Sequence, residues 1–161
     1  IRGLSVRGFR GDFSSVDSLE TGGSIALPHE EESERRWGSP SGGVPSVPRV
    51  GVPRGTPQTG FGLTLSGFIR VPRQGIYTFY LSSDDGSRLE IGGRVVVDHD
   101  GYHSQSVKTG QVGLRRGWHP ISVRYFQGGG GMALGLEVEG PGVSRRDVPA
   151  HWLAHRPDEA R

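Results

Sequence analysis

The 161-residue chain has no cysteine and a single lysine, Lys108. Without cysteine, a disulfide framework and thiolate metal sites are excluded. No apolar run approaches the ~20 residues of a membrane span. No secretory leader is recognisable, and the start at Ile1 reads as an excised module or a mature N-terminus. Basic residues number 19 against 17 acids, with the arginines scattered and acids interleaved. No continuous basic stripe for a phosphate backbone results, so nucleic acid is not an expected partner. Apolar residues make up only 32%, whereas glycine (28) and proline (11) are abundant. That balance suits many short strands joined by turns better than helices, in a chain long enough for one domain with its own core.

Leu4 to Arg10 reads as a first strand. Residues 28–59 read as a long Pro/Gly-rich surface excursion, with prolines that block ladder bonding. It carries a charged run at 30–36 and one candidate anchor, Trp37. From Phe61 the period-two pattern sharpens: Phe61, Leu63, Leu65, Ile69 and Val71 share one face. Tyr77, Phe79 and Leu81 follow in a second strand. Leu89 and Ile91, then Gly92-Gly93, then Val95 and Val97 predict a hairpin with a two-residue turn. Val107 to Leu114 is a weaker strand, and Ile121, Val123 and Tyr125 continue the core. Trp118 and Trp152 are read as core residues, with a helical turn near Pro149–Leu153. Six or more short strands at this spacing imply an all-β, antiparallel β-sandwich formed by one module over residues 1–161.

The second of these strands runs into Asp84-Asp85-Gly86, two adjacent carboxylates and a glycine, before the apolar alternation resumes at Leu89. Packing a sheet does not call for these residues, which are depleted in strands. Such a breach of a local rule marks a candidate functional site. Paired carboxylates are hard ligands of the kind calcium takes. A tight turn between two strands accounts for Asp-Gly equally well, and the residues alone leave both readings open.

The run Phe68-Ile-Arg-Val-Pro72, then Gly75-Ile-Tyr-Thr-Phe-Tyr-Leu-Ser-Ser-Asp-Asp-Gly86 through Gly93, resembles the anthrax protective-antigen prodomain (PA-14) family. The resemblance continues in Val97-Asp-His-Asp-Gly-Tyr-His103 and in Gly117-Trp-His-Pro through Gly131. It spans roughly residues 60–153, with a fainter match at Gly3–Phe9. It implies a β-sandwich of the kind found in exported adhesins, toxins and glycosidases. It also implies a calcium ion held by an Asp pair joined through a cis peptide, with an amide and main-chain carbonyls from a second loop. Carried over, the metal ligands are Asp84, Asp85, Gln127, Gly129 and Gly131. The glycan, a hexose or similar sugar with vicinal hydroxyls, would meet Asp84, Asp85, Gln127, Gly128, Tyr102 and His103. The chain departs from the family in its Pro-rich stretch and in having four glycines at 128–131.

Asp98-His99-Asp100 with His103 has the residue types of a zinc site. On a loop, its spacing does not bring both imidazoles to one face, and a role in tying down the loop is the expectation. Ser82, Ser83 and His119 lack the strand-turn-helix elbow of a serine nucleophile. Adjacent Asp84 and Asp85 cannot straddle a sugar ring as a glycosidase pair does. No catalytic residues are assigned. The expected function is a non-catalytic, calcium-dependent carbohydrate-binding module of a larger exported protein, monomeric when isolated and joined to other domains of that protein. The alternative is a structural or protein-interaction sandwich without ligand. Residues 28–59 are expected to hold little regular structure and to take no part in the site.

Overall fold

The structure, a computed structural model, describes residues 1–25, 27 and 45–156. Two antiparallel sheets form a sandwich. The larger runs β2 (Gly23–Ile25), β1 (Leu4–Arg10), β4 (Phe61–Val71), β9 (Gly117–Gln127), β6 (Ser87–Ile91), β7 (Arg94–His99). Two short strands join it, β3 (Ser46–Val47) beside β1 and β12 (Leu153–Ala154) beside β4. The smaller sheet runs β11 (Val143–Asp147), β10 (Ala133–Gly140), β5 (Gly75–Asp84), β8 (Ser106–Leu114).

The alternation read from the sequence decides which side chains turn inward. Leu63 and Leu65 of β4, Tyr77, Phe79 and Leu81 of β5, and Val123 of β9 are fully buried in one core. Burying an aliphatic or Phe side chain of this kind contributes about 1.5–3 kcal/mol. Strands β4 and β9 pair in unbroken register from Phe61↔Gln127 to Val71↔Gly117. That register sets Gln127 at one end of the sandwich. Asp84, the last residue of β5, lies at the same end, opposite Ala133 of β10.

A second, smaller cluster of Phe9, Phe13, Val16, Leu19 and Phe126 packs on the outer face of the large sheet. The segment covering it includes a 3-10 turn, Val16–Thr21, capped by Ser15, whose Oγ accepts the Asp17 N–H. Asp100 fastens this segment: its Oδ1 accepts the Val16 N–H at 2.9 Å and its Oδ2 the Ser15 hydroxyl at 2.6 Å. Arg124 donates to the Val16 carbonyl and pairs with Glu20.

Two expectations need correction. The described part of residues 28–59 holds little regular structure, as expected, with Ser46–Val47 its one strand, but it is not a surface excursion throughout. Ser46–Val47 pairs with β1, and Val47 is buried in the main core. Proline lacks an N–H, but its carbonyl still accepts: Pro45 O takes the Val6 N–H at 2.8 Å. Residues 28–44, with Trp37, lie outside the described residues. Trp118 is 50% exposed and not a core residue. In β9 the inward positions are Ile121, Val123 and Tyr125, so an even-numbered residue faces out. Trp152 is buried as expected.

Candidate functional site

Three loops meet where β5 and β9 end. The first carries Asp84 and Asp85, joined by a cis peptide. Gly86 follows, and a Cβ there would fall 2.3 Å from Phe126 Cε1 and 2.8 Å from the Gly101 nitrogen. Only glycine lets the chain turn so tightly against the 98–103 loop. The second loop, 127–131, hangs on the first: Asp85 Oδ2 accepts the Gly128 N–H at 2.8 Å. Cβ atoms at Gly128 and Gly131 would lie 3.3 Å from Asp85 Oδ2 and 2.9 Å from Asp84 Oδ2 respectively. The bare glycine backbone thus lies along both carboxylates, and side chains at these positions would fill that space.

Gln127 is 0% exposed, and its two faces differ. Its Nε2 donates to the Gln58 and Gly130 carbonyls, each at 3.2 Å. Its Oε1 is buried with no hydrogen-bond partner. A buried acceptor left unmatched costs about 1–3 kcal/mol, so this oxygen, one residue from the Gly128 N–H that Asp85 accepts, is a candidate partner for a donor or a cation. Among the described residues, no hydrogen bond reaches the Asp84 carboxylate, and Asp85 is only 7% exposed. Tyr125 closes the floor, its hydroxyl donating to the Asp84 carbonyl at 2.6 Å. Burial, and then the negative charges of Asp84 and Asp85, push its pKa well above the ordinary phenol range, so it remains a donor.

The third loop brings Tyr102 to the edge of this cradle, its ring edge-on to Phe126 and its hydroxyl donating to the Phe13 carbonyl at 2.7 Å. A Cβ on Gly128 would lie 2.9 Å from Tyr102 Cε1. His103 is occupied within its own loop. Its Nε2 meets the His99 carbonyl at 2.8 Å and its Nδ1 the Ser104 carbonyl at 2.9 Å, with the ring stacked on His99. Asp98 and Asp100 both turn to Arg88. Among the described residues no three carboxylate or imidazole side chains converge as a metal site would need. The zinc arrangement is therefore not assembled, and a cation at Asp84–Asp85 would depend on the amide and main-chain oxygens. Ser83 shares a buried hydrogen bond with Ser87, whereas His119 caps the Arg115 carbonyl at the other end of β9. They do not form a nucleophile and base.

The structure brings together Asp84, Asp85, Gln127 and the 128–131 loop, with Tyr102 at their edge. Sequence reasoning missed the Gln58 carbonyl, which corrects the expectation that residues 28–59 stay clear of the site. It also missed Tyr125, which shares the inward phase of Gln127 two residues away, and Met132, 42% exposed beside Gly131. The donor set suits a hard cation: two carboxylates, an amide oxygen without a partner, and a glycine backbone free to present carbonyls.

Residues 52–152 match the PA14 domain family. No curated protein matches the chain. Among solved structures, an anti-sigma factor domain-containing protein aligns with a TM-score of 0.75 at 19% identity. That alignment covers 98% of this chain and 50% of the other, so the chain spans about half of that relative's length. A PA14 sugar-binding domain from an RTX adhesin aligns at TM-score 0.66 and 18% identity, covering 97% of this chain and 99% of that one. The A domain of epithelial adhesin 6 from Candida glabrata, in complex with Galb1-3GlcNAc, aligns at TM-score 0.68 and 13% identity, covering 98% and 88%.

Proposed function

The chain belongs to the PA14 domain family, and from that premise we propose that it is a non-catalytic, calcium-dependent glycan-binding module of a larger exported protein. The observation that carries the proposal is the unpartnered, buried Oε1 of Gln127, in a side chain whose amide nitrogen is held by Gln58 and Gly130. With its nitrogen so committed, the oxygen is left for a cation together with Asp84 and Asp85. Residues Asp84, Asp85 and Gln127 would hold calcium, with main-chain carbonyls of Gly129 and Gly131 completing the protein's share. Calcium takes 6–8 oxygens at flexible angles, so such a site leaves coordination for two neighbouring sugar hydroxyls. Gly128 gives the sugar close approach to the backbone, and Tyr102 supplies the ring contact at the edge. The adhesin neighbours support a glycan as the ligand and a place outside the cytoplasm.

The cradle has few apolar walls, and association costs several kcal/mol before any net gain. A monovalent Kd of about millimolar order is therefore expected, with avidity from several copies supplying useful affinity. Thermal melting with calcium against chelator tests the first half of the reading. Calcium at a hundredfold excess over its Kd should stabilise by about 2.7 kcal/mol. A glycan array probed with calcium and with chelator tests the second. A melting curve indifferent to calcium would leave the ligand-free structural sandwich as the better account.

A further inference from the structure

The sandwich has two chemically opposite ends. The site end carries Asp12, Asp17, Asp84, Asp85, Asp98 and Asp100 against Arg10 and Arg88. At the other end, strand ends and turns covering residues 67–76, 91–95 and 112–121 hold five arginines and no acid, with Glu90 at their border opposite Val95. These are Arg70, Arg73, Arg94, Arg115 and Arg116, all exposed. The strand registers bring them together. Gly75 pairs with Leu114, which sets the Arg73 turn beside Arg115, and Arg70 pairs with Trp118. Gly92 donates to the Pro120 carbonyl at 2.9 Å, which brings the turn before Arg94 to the same end. Among the described residues none of the five arginines pairs with a carboxylate; Arg88, Arg124 and Arg145 do, and Arg7, Arg10, Arg49, Arg54 and Arg146 elsewhere also do not. Folding gains nothing from grouping like charges without partners.

Trp118 adds a second, independent feature. Its ring is half exposed on the outer face of the large sheet, with the Arg70 guanidinium 5.9 Å from the ring centre. A shallow, open depression lined by Gln74, Ile76, Leu114 and Arg115 lies beside the same turns. We propose that this arginine-rich end is a second binding surface, independent of calcium, for an acidic polysaccharide. The apolar C–H face of a uronic-acid ring matches the indole, and its carboxylate matches the guanidinium fork, which binds carboxylates bidentately.

Other polyanions fit less well. Single-stranded nucleic acid is held by successive aromatic platforms, and among the described residues this end shows one exposed aromatic ring, Trp118. A membrane-inserting end would carry apolar residues at its tips, but these turns are tipped by Pro72, Arg73, Gly92, Gly93, Arg115 and Arg116. Ile76 and Trp118 sit behind them on opposite sheets. The surface lies at the far end of the sandwich from Asp84 and Asp85, so it stands or falls separately from the calcium site.

The test uses the whole chain in chelator, with polygalacturonate as probe and dextran, a single-stranded oligonucleotide and phosphatidylglycerol vesicles alongside. Polygalacturonate should bind, dextran should not, and affinity should fall as salt is raised. Arg115→Gln with Arg116→Gln should weaken polygalacturonate roughly tenfold, as expected for loss of charge-assisted hydrogen bonds, and Trp118→Ala should weaken it as well. The same arginine variant should keep its calcium-dependent melting shift, which also reports that it is folded. Asp85→Asn should show the reverse pattern, with the melting shift lost and polygalacturonate binding kept. Equal binding of dextran, tighter binding of the oligonucleotide or the vesicles, no polygalacturonate binding, or undiminished binding by the arginine and tryptophan variants would each overturn the proposal.

Discussion

Asp85 does two jobs that substitution can separate. Its Oδ2 accepts the Gly128 N–H, and its charge faces the glycine loop. Asp85→Asn keeps an acceptor for Gly128 but removes the charge, so under the proposed calcium reading the calcium-dependent melting shift should vanish while the calcium-free melting point changes by only a few degrees. Asp85→Ala also frees the Gly128 N–H, so it should lose calcium and show faster hydrogen exchange at residues 128–131 as well. His99 predicts a pH response. Burial first, and then the neighbouring His103, lower its proton affinity below the ordinary value of 6.5. The unfolded chain therefore binds the proton first, and stability present above that value is lost as pH falls below it. Asp17 and Glu20, held low by Arg88 and Arg124, add a further loss below their ordinary values of 3.8 and 4.5. Melting against pH should show a first decline that His99→Gln removes, and a second, more acidic one that it does not. Asp84 and Asp85 stood out in the sequence because Asp-Asp-Gly breaks an apolar strand, whereas Gln127 and the 128–131 loop were named through the family resemblance. The Gln58 carbonyl was not legible, because a main-chain acceptor carries no side-chain signature.

Among the elements, β1 at Leu4–Arg10 and the hairpin around Gly92-Gly93 follow directly from period-two patterning and turn chemistry. Strand β3 does not. It is two residues long, lies among prolines, and exists because the edge of β1 is available to it. Its contribution is measurable. Val47→Ala removes two buried methyl groups and should cost about 1.5–2 kcal/mol at roughly 0.8 per group, where a dispensable excursion would show no change. The meeting of the sheets at β7 and β8 depends on a glycine. A Cβ at Gly110 would lie 2.0 Å from the Val96 carbonyl oxygen, a main-chain atom with no rotamer to yield. Gly110→Ala should destabilise by about 3 kcal/mol, at the upper end of overpacking costs, as read from the denaturation midpoint. Nothing local in Lys108-Thr109-Gly110 announces that approach, since it depends on how two sheets close on each other.

At the scale of the whole molecule, the sandwich separates an acidic end from a basic one although the chain alternates the two charges along its length. The scattered arginines of the sequence become one cluster because alternate turns of an antiparallel sandwich come to the same end. The same geometry explains Trp118: it was read as sharing the apolar phase of its segment, but the phase set by Ile121, Val123 and Tyr125 turns it outward. The sequence by itself determined the fold class and the inward faces of β4, β5 and β6, because alternation acts locally, and it marked Asp84 and Asp85 as a breach of that alternation. Only the tertiary structure decided that Gln58 and Tyr125 brace the site, that the N-terminal segment roofs Phe126, and that five arginines share one end. Those relations join residues far apart in the chain, and register and sheet closure, not neighbouring residues, bring them into contact.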